Sequence, residues 1–382
     1  MSLAATTTAS AERRDLLESL RETARVVLGR ESASERVRGL LDDPVGHDPA
    51  LWATMADLGW LGLHAPESLG GSGAGFGELA VVAEELGRHL TPSPFLGSAV
   101  LATSALLEAG DTPATREWVP RLCEGSAIGA AVLTGSDGAV GADTVDLRLG
   151  GGRLSGTAGY VIDAAAADLL IVGALSPDDS GDGVVCALPT SRGGIDMTPV
   201  PTVDATRRLA TLTFADVEVR DAEILASGRV ASALCGRLLD LAAVGLALDA
   251  AGGARHTLEQ TVAYAGEREQ FGRRIGSFQA VKHICANMLI AVEGAAAASS
   301  RAVEAVERDS TAVPEASSTA KSHALESYVA VAGDAVQVHG GVGFTWEFDC
   351  HLFLKRALLG RSMFGDTRYH RERLAALLDP RG

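Results

Sequence analysis

Three arginines, Arg268, Arg273 and Arg274, lie within seven residues of one another, around Gly272 and beside Phe271. They occupy a break in a helical pattern that runs through Tyr264, stops at Gly272 and resumes after Gly276. Guanidinium groups make charge-assisted, often bidentate bonds to phosphate or carboxylate, and a restarting helix offers free N–H groups to the same anion. The chemistry on offer is an anion clamp, and a solvated turn between two core helices accounts for the same residues. A second candidate, the glycine-rich run Gly71–Gly75, follows no strand and carries no GK[ST], so it fails both nucleotide-loop patterns. It reads as a turn over a pocket mouth. Asp178, Asp179 and Asp182 lack calcium-loop spacing and read as a solvated hairpin tip.

The totals narrow the field. The chain has 382 residues and a net charge of −16, with 47% hydrophobic residues. That length allows two or three domains with a large core. The charge disfavours nucleic acid or a membrane surface as general partners. Cys123, Cys186, Cys235, Cys285 and Cys350 are scattered and form no CxxC pair. Neither a metal site nor a disulfide framework is expected, and a reducing cytoplasm fits. The first residues lack an apolar run of the secretory kind, and no apolar run reaches the ~20 residues of a membrane span.

The elements that would position these groups follow from periodicity. Residues 1–120 read as helical. Leu16, Leu20, Ala24 and Val27/Leu28 share a face, and Asp48-Pro49 starts a second helix. Residues 121–227 switch to β-branched runs separated by GSDG, GGGR and SRGG turns. Their spacing suggests an antiparallel sheet domain in place of βαβ units. Residues 228–382 are helical again. Val230, Leu234, Leu238, Leu241, Val244 and Leu248 recur in steps of three and four, as do Phe278, Val281, Cys285, Met288 and Val292. A further helix stops at Gly340-Gly341. The fold class is mainly α with a central β domain: an N-terminal helical domain, an antiparallel sheet, and a C-terminal four-helix bundle.

This order of elements, with LGWLGLHAPESLGGSGAGFGELAVVAEELGR, REQFGRRIGSFQAVKHICANM and QVHGGVGFTWEFDCHLFLKR, resembles the acyl-CoA dehydrogenase family over nearly the whole chain. The resemblance implies FAD, an acyl-CoA substrate, a place in lipid metabolism and α,β-dehydrogenation. In that reaction a carboxylate removes the Cα proton while hydride leaves Cβ for the flavin. Electrons then pass to an electron-transfer flavoprotein. By position, Arg268 matches the arginine that reaches the FAD diphosphate of a neighbouring subunit. Gln270, Phe271 and Gln279 fall at adjacent cofactor positions. Gln337, Gly340 and Gly341 match the loop that meets the adenosine half. Because these contacts cross subunits, a homo-oligomer (dimer or tetramer) or a heterotetramer with a paralogue is implied.

The departures from the pattern bear on chemistry. The family's catalytic glutamate position falls on Gly365, between Phe364 and Asp366. The alternative base position, on the first long bundle helix, falls on Ala242. Asp366, one residue along, and Asp249, two turns from position 242 on the same face, are the candidate bases. On the flavin side only Thr134, Ser136 and Thr367 remain as contacts, and Tyr160, Ile162 and Asp163 occupy the stretch that usually holds a tryptophan. Chains with such gaps are similar to members that work as α2β2 heteromers. Three readings follow: a dehydrogenase with an aspartate base, a non-catalytic partner subunit that contributes to a shared FAD site, and an acyl-CoA oxidase. The run of small residues from Ala242 to Ala254 suggests room for a bulky acyl group, or tight helix packing.

Overall fold

The computed structural model describes residues 3–140, 146–176 and 183–379. Helices come first: α1 (Leu3–Glu31), α2 (Ser34–Gly39), α3 (Pro49–Asp57), α4 (Phe76–Arg88), a π-helix (Leu96–Ala102) that runs into α5 (Thr103–Glu108), and α6 (Pro113–Cys123). The Asp48 carboxylate accepts from the Ala50 N–H and Pro49 takes the first turn, so α3 starts where a capping residue and proline direct it. Ala24 and Leu28 of α1 are buried, but Leu16 is 56% exposed. There α1 meets α4 through Arg13–Glu78, Arg21–Glu84 and Arg25–Glu85, which replace the apolar seam expected from the sequence.

Strands follow: β1 (Gly129–Val132), β2 (Arg148–Gly150), β3 (Arg153–Ile162), β4 (Leu169–Leu175), β5 (Gly183–Pro189), β6 (Ile195–Val200), β7 (Leu209–Glu218) and β8 (Ile224–Ser227). They form one sheet in the order β6-β7-β3-β2-β4-β5-β8, with β1 on β4. The expected antiparallel sheet is in fact mixed, because β1 and β2 both run parallel to β4. The Asp178, Asp179 and Asp182 turn lies outside the described residues. Arg208 fastens this sheet to the N-terminal helices. Its guanidinium donates to the carbonyls of Leu40, Leu41 and Asp43, in the chain reversal after α2.

The 40-residue α7 (Gly228–Glu267) is the longest element, about 60 Å at the usual helical rise. It leads to a two-strand hairpin, β9 (Glu269–Gln270) and β10 (Arg273–Arg274). Then come α8 (Gln279–Arg308), α9 (Val313–His339), α10 (Cys350–Ser362) and α11 (Thr367–Leu378). The α7 stripe from Leu234 to Leu248 is buried as expected, but Val230 is 69% exposed. The first turn of α7 presents Ala231 and Ser232 to Gly183 of β5, which turns Val230 outward.

The small residues on α7 serve packing. A Cβ on Gly252 would lie 1.9 Å from the Glu84 carbonyl oxygen, and one on Gly87 would lie 2.2 Å from that of Asp249. A Cβ on Gly253 would lie 2.4 Å from the Tyr328 hydroxyl. Helices α4 and α7 therefore meet almost backbone to backbone and α9 packs Tyr328 onto Gly253, so these contacts take up the room suggested for an acyl group around Gly252 and Gly253. By length and mean hydropathy, α7 and α8 are each apolar enough to cross a membrane, which the search for apolar runs missed. In α7 most of that apolar surface faces the bundle, whereas α8 leaves Leu289 and Ile290 outward.

Close packing makes a sharp contrast within one helix. Gly252→Ala should lower the melting temperature, at a cost of about 1–3 kcal/mol from overpacking. Gly236→Ala, where a Cβ would meet nothing within 4 Å, should hold or raise it by up to about 1 kcal/mol. Thermal unfolding of the two variants checks both signs.

Candidate functional site

The arginine cluster is built by a turn. Residues β9 and β10 pair Gln270 with Arg273, and the two residues between them, Phe271 and Gly272, both have positive φ, 54° and 76°. That is the two-residue hairpin turn whose twist matches paired strands. The helix therefore ends at Glu267 and restarts only at Gln279, a longer break than the glycines alone indicate. The turn holds the Phe271 ring 93% exposed. Arg273 stacks over Phe278 at 4.1 Å. The exposed Arg268 and Arg274 side chains have no hydrogen bond or ion pair among the described residues. Gln270 donates to its neighbour's carbonyl, and the Gln279 amide meets His283 at 2.8 Å.

A ring stack places the second signature beside the first. Tyr264, one turn before Arg268, stacks on His339 with centroids 4.2 Å apart, and Phe348 packs edge-on to both. His339 Nδ1 donates to the Ala335 carbonyl, so the histidine is a satisfied packing residue. It ends α9 just before Gly340, whose φ is 67°. A Cβ on Gly340 or Gly341 would meet nothing within 4 Å, and Gln337 is exposed. Unpartnered arginines, an exposed amide and bare backbone thus share one edge, which fits a dinucleotide diphosphate and adenosine approaching from outside the chain.

The residues expected at the flavin ring are arranged otherwise. The Thr134 hydroxyl donates to the Gly159 carbonyl at 2.6 Å. The Ser136 backbone N–H and hydroxyl both donate to the Asp146 carboxylate. Tyr160 lies against the Gly138 backbone, where a Cβ would come within 2.7 Å of its ring. Thr367 donates to Glu326 at 2.7 Å. The hydroxyls that would meet a ring are thus bonded to the chain itself. The structure brings together Arg268, Gln337, Gly340 and Gly341, and does not present Thr134, Ser136 or Thr367 as free donors.

Neither base position offers a carboxylate. Ala242 is fully buried. Gly365 has φ 89°, and a Cβ there would lie 2.3 Å from the Tyr369 ring. Phe364 before it is also left-handed, at φ 50°. Asp366 is exposed and caps α11, accepting from the Tyr369 N–H at 2.8 Å. It borders an open cleft of about 610 Å³ with Arg361, Arg368 and Arg371, which suits no acyl chain. Lys321, buried beneath, donates to the carbonyls of Gly360, Arg361 and Gly365 and so closes the end of α10.

Asp249 is elsewhere, in a buried ion cluster. Its Oδ1 accepts from Arg356 Nη2 at 2.7 Å and pairs with Arg207 at 3.0 Å, and its Oδ2 accepts from Arg356 Nε at 3.2 Å. Burial alone would raise its pKa, but the two arginines outweigh burial and hold it at about 2. A carboxylate bound on both oxygens and so weakly basic is a structural anion, which corrects the reading of Asp249 as a base. Arg356 also donates to the Thr206 hydroxyl and the Thr91 carbonyl. Beside the cluster, between Leu96, Val100 and Gly245, only about 30 Å³ is open. Sequence reasoning missed Arg207 and Arg356. It also passed over Asp163, which accepts from the Gly97 N–H at 3.1 Å and whose pKa burial lifts to about 6. An arginine within the apolar run LFLKRALL was the available signal for Arg356.

Residues 10–126 match the family model for the N-terminal domain of acyl-CoA dehydrogenases, and residues 233–378 the model for the C-terminal domain. Acyl-CoA dehydrogenase IpdE2 of Mycolicibacterium smegmatis is 35% identical over 94% of this chain and 97% of its own length. The solved ChsE4–ChsE5 complex from Mycobacterium tuberculosis gives a TM-score of 0.87 at 28% identity, covering 95% of this chain and 96% of that one. A variant of the steroid ACAD Tcur3481–Tcur3483 gives 0.85 at 29% identity, covering 95% and 98%.

Removing one partner of a buried pair strands the other charge, so Arg356→Met should destabilise the fold by roughly 3–5 kcal/mol. The Asp249 contribution has a defined pH window. Its folded pKa, about 2, is below its ordinary value, so the stability is present above about pH 4 and is lost as pH falls toward 2. Chemical denaturation across that range, with and without Asp249→Asn, checks the sign: the variant should lose stability at neutral pH and show a flatter acid limb.

Proposed function

The chain belongs to the acyl-CoA dehydrogenase family, oxidoreductases that act on CH–CH bonds with FAD, and we propose that it is the base-lacking partner of a heteromeric member. In this reading it supplies the diphosphate and adenosine half of a shared FAD site. The observation that carries it is the backbone at Gly365: its left-handed conformation against Tyr369 disfavours the family's glutamate, and the alternative position is the buried Ala242.

FAD, when bound, would supply the hydride acceptor for α,β-dehydrogenation. What this chain contributes is binding and orientation. Arg268 and Arg274 would hold the diphosphate, and Gln337 with the Gly340–Gly341 backbone would meet the adenosine. The Tyr264–His339–Phe348 stack keeps the two motifs at a fixed separation, so the cofactor meets a preformed edge. The partner would bring the carboxylate, the ring-binding hydroxyls and the acyl pocket, since this chain leaves about 30 Å³ beside Gly245. ChsE4–ChsE5 and Tcur3481–Tcur3483 each join two differently named chains, which supports a heteromer here. Electrons would leave to an electron-transfer flavoprotein. A second reading keeps the chemistry in this chain with Asp366 as base. It rests on Asp366 Oδ2, which has no partner among the described residues.

Purification alone and with a co-expressed paralogue separates the two. Alone, the chain should be colourless. With the paralogue it should carry a flavin band near ~450 nm that bleaches anaerobically with acyl-CoA. Asp366→Asn should leave the bleaching rate within about twofold, whereas Arg268→Met should weaken FAD retention by about tenfold, the scale of one charge-assisted bond. A chain that is yellow and bleached without any partner overturns the proposal, and fast reoxidation by oxygen would identify an oxidase.

A further inference from the structure

We propose that a cavity remote from the cofactor edge binds an amphipathic anion, a carboxylate or phosphate head on a short aliphatic body. The cavity holds about 390 Å³ where α1, α4, α7 and α8 meet. Its floor is apolar, formed by Leu248, Ala251, Gly252 and Ala296. Ala251 and Gly252 of α7 are small there, and Gly252 also makes the close α4–α7 contact. A volume of this size is in the range of small-molecule sites.

The walls offer guanidinium donors. Four arginines, Arg21, Arg25, Arg88 and Arg255, line it with two glutamates, Glu84 and Glu85, while Glu259 and Glu293 pair with Arg88 and Arg255 from its rim. Glu85 is nearly fully buried and accepts from Arg21 and Arg25, so it anchors that side of the wall. Arg88 is held by Glu259 outside the cavity. Arg255 uses only Nη2, on Glu293 at 3.0 Å, and its Nε and Nη1 have no acceptor among the described residues. Arg25 Nη1 is likewise without one. A guanidinium carries five donors in a planar fork, and unmet donors above an apolar floor suit an oxyanion with an aliphatic tail. A ligand here would tie α4 to α7 within one turn of Asp249, against which Gly87 packs, so its binding free energy would add to the stability of that contact.

The test titrates the full chain, together with its paralogue if the two copurify, by calorimetry and thermal shift. The probes are octanoate, octyl phosphate, octanol and inorganic phosphate. Octanoate or octyl phosphate should bind saturably and raise the melting temperature, and the tighter of the two names the head group. Arg255→Met, which removes one exposed ion pair, should weaken binding about tenfold. Ala296→Phe, which fills the floor, should abolish it while circular dichroism stays unchanged. The proposal is overturned if neither anion binds, if octanol binds as tightly, if inorganic phosphate alone binds as tightly, or if both variants bind like the parent.

Discussion

One buried ion pair joins every part of this molecule. Arg356 of α10 reaches Asp249 of α7, the Thr206 hydroxyl from the loop before β7, and the Thr91 carbonyl after α4. Helical N-terminal segment, sheet and C-terminal bundle therefore converge on a single guanidinium. Taking two charges out of water is expensive, and only geometry with nearly every lone pair met offsets it. The Asp249 carboxylate meets that condition with two arginines. The arrangement also fixes how closely α4 can approach α7, because Gly87 lies on the backbone of Asp249 itself. The polar centre and the tight helix crossing are thus one constraint.

The same constraint bears on chemistry. With Asp249 committed, Ala242 sealed and little open volume beside Gly245, the interior of this chain is organised to be rigid. What remains available lies on the outside, at the edge where Tyr264 stacks on His339. There the donors are exposed and the glycines face open space. A protein built this way can hold a cofactor for a neighbour more readily than it can activate a substrate by itself.

Much of the fold was legible in the sequence because it depends on periodicity and punctuation. The α7 stripe, the Asp48 cap and the stop at Gly340 are local signals with local causes. The failures share a different cause. Val230 and Leu16 carry the right spacing, but their burial is set by what arrives opposite them. The parallel pairing of β1 and β2 with β4 depends on sheet order, which strand spacing does not encode. Asp249 was found by its helical face, yet its role is decided by Arg356, more than a hundred residues away. Likewise the Thr134 and Ser136 hydroxyls were identified as residue types, and their partners at Gly159 and Asp146 come only from tertiary structure.

The two left-handed residues Phe364 and Gly365 limit what this loop can carry. With the backbone left-handed there, Tyr369 against the glycine and Lys321 bonded to its carbonyl, any side chain at position 365 would be strained and would meet the tyrosine ring. Gly365→Glu alone would therefore require the loop and the Tyr369 ring to adjust with it. Backbone conformation, more than residue identity, thus sets which side chains position 365 can carry.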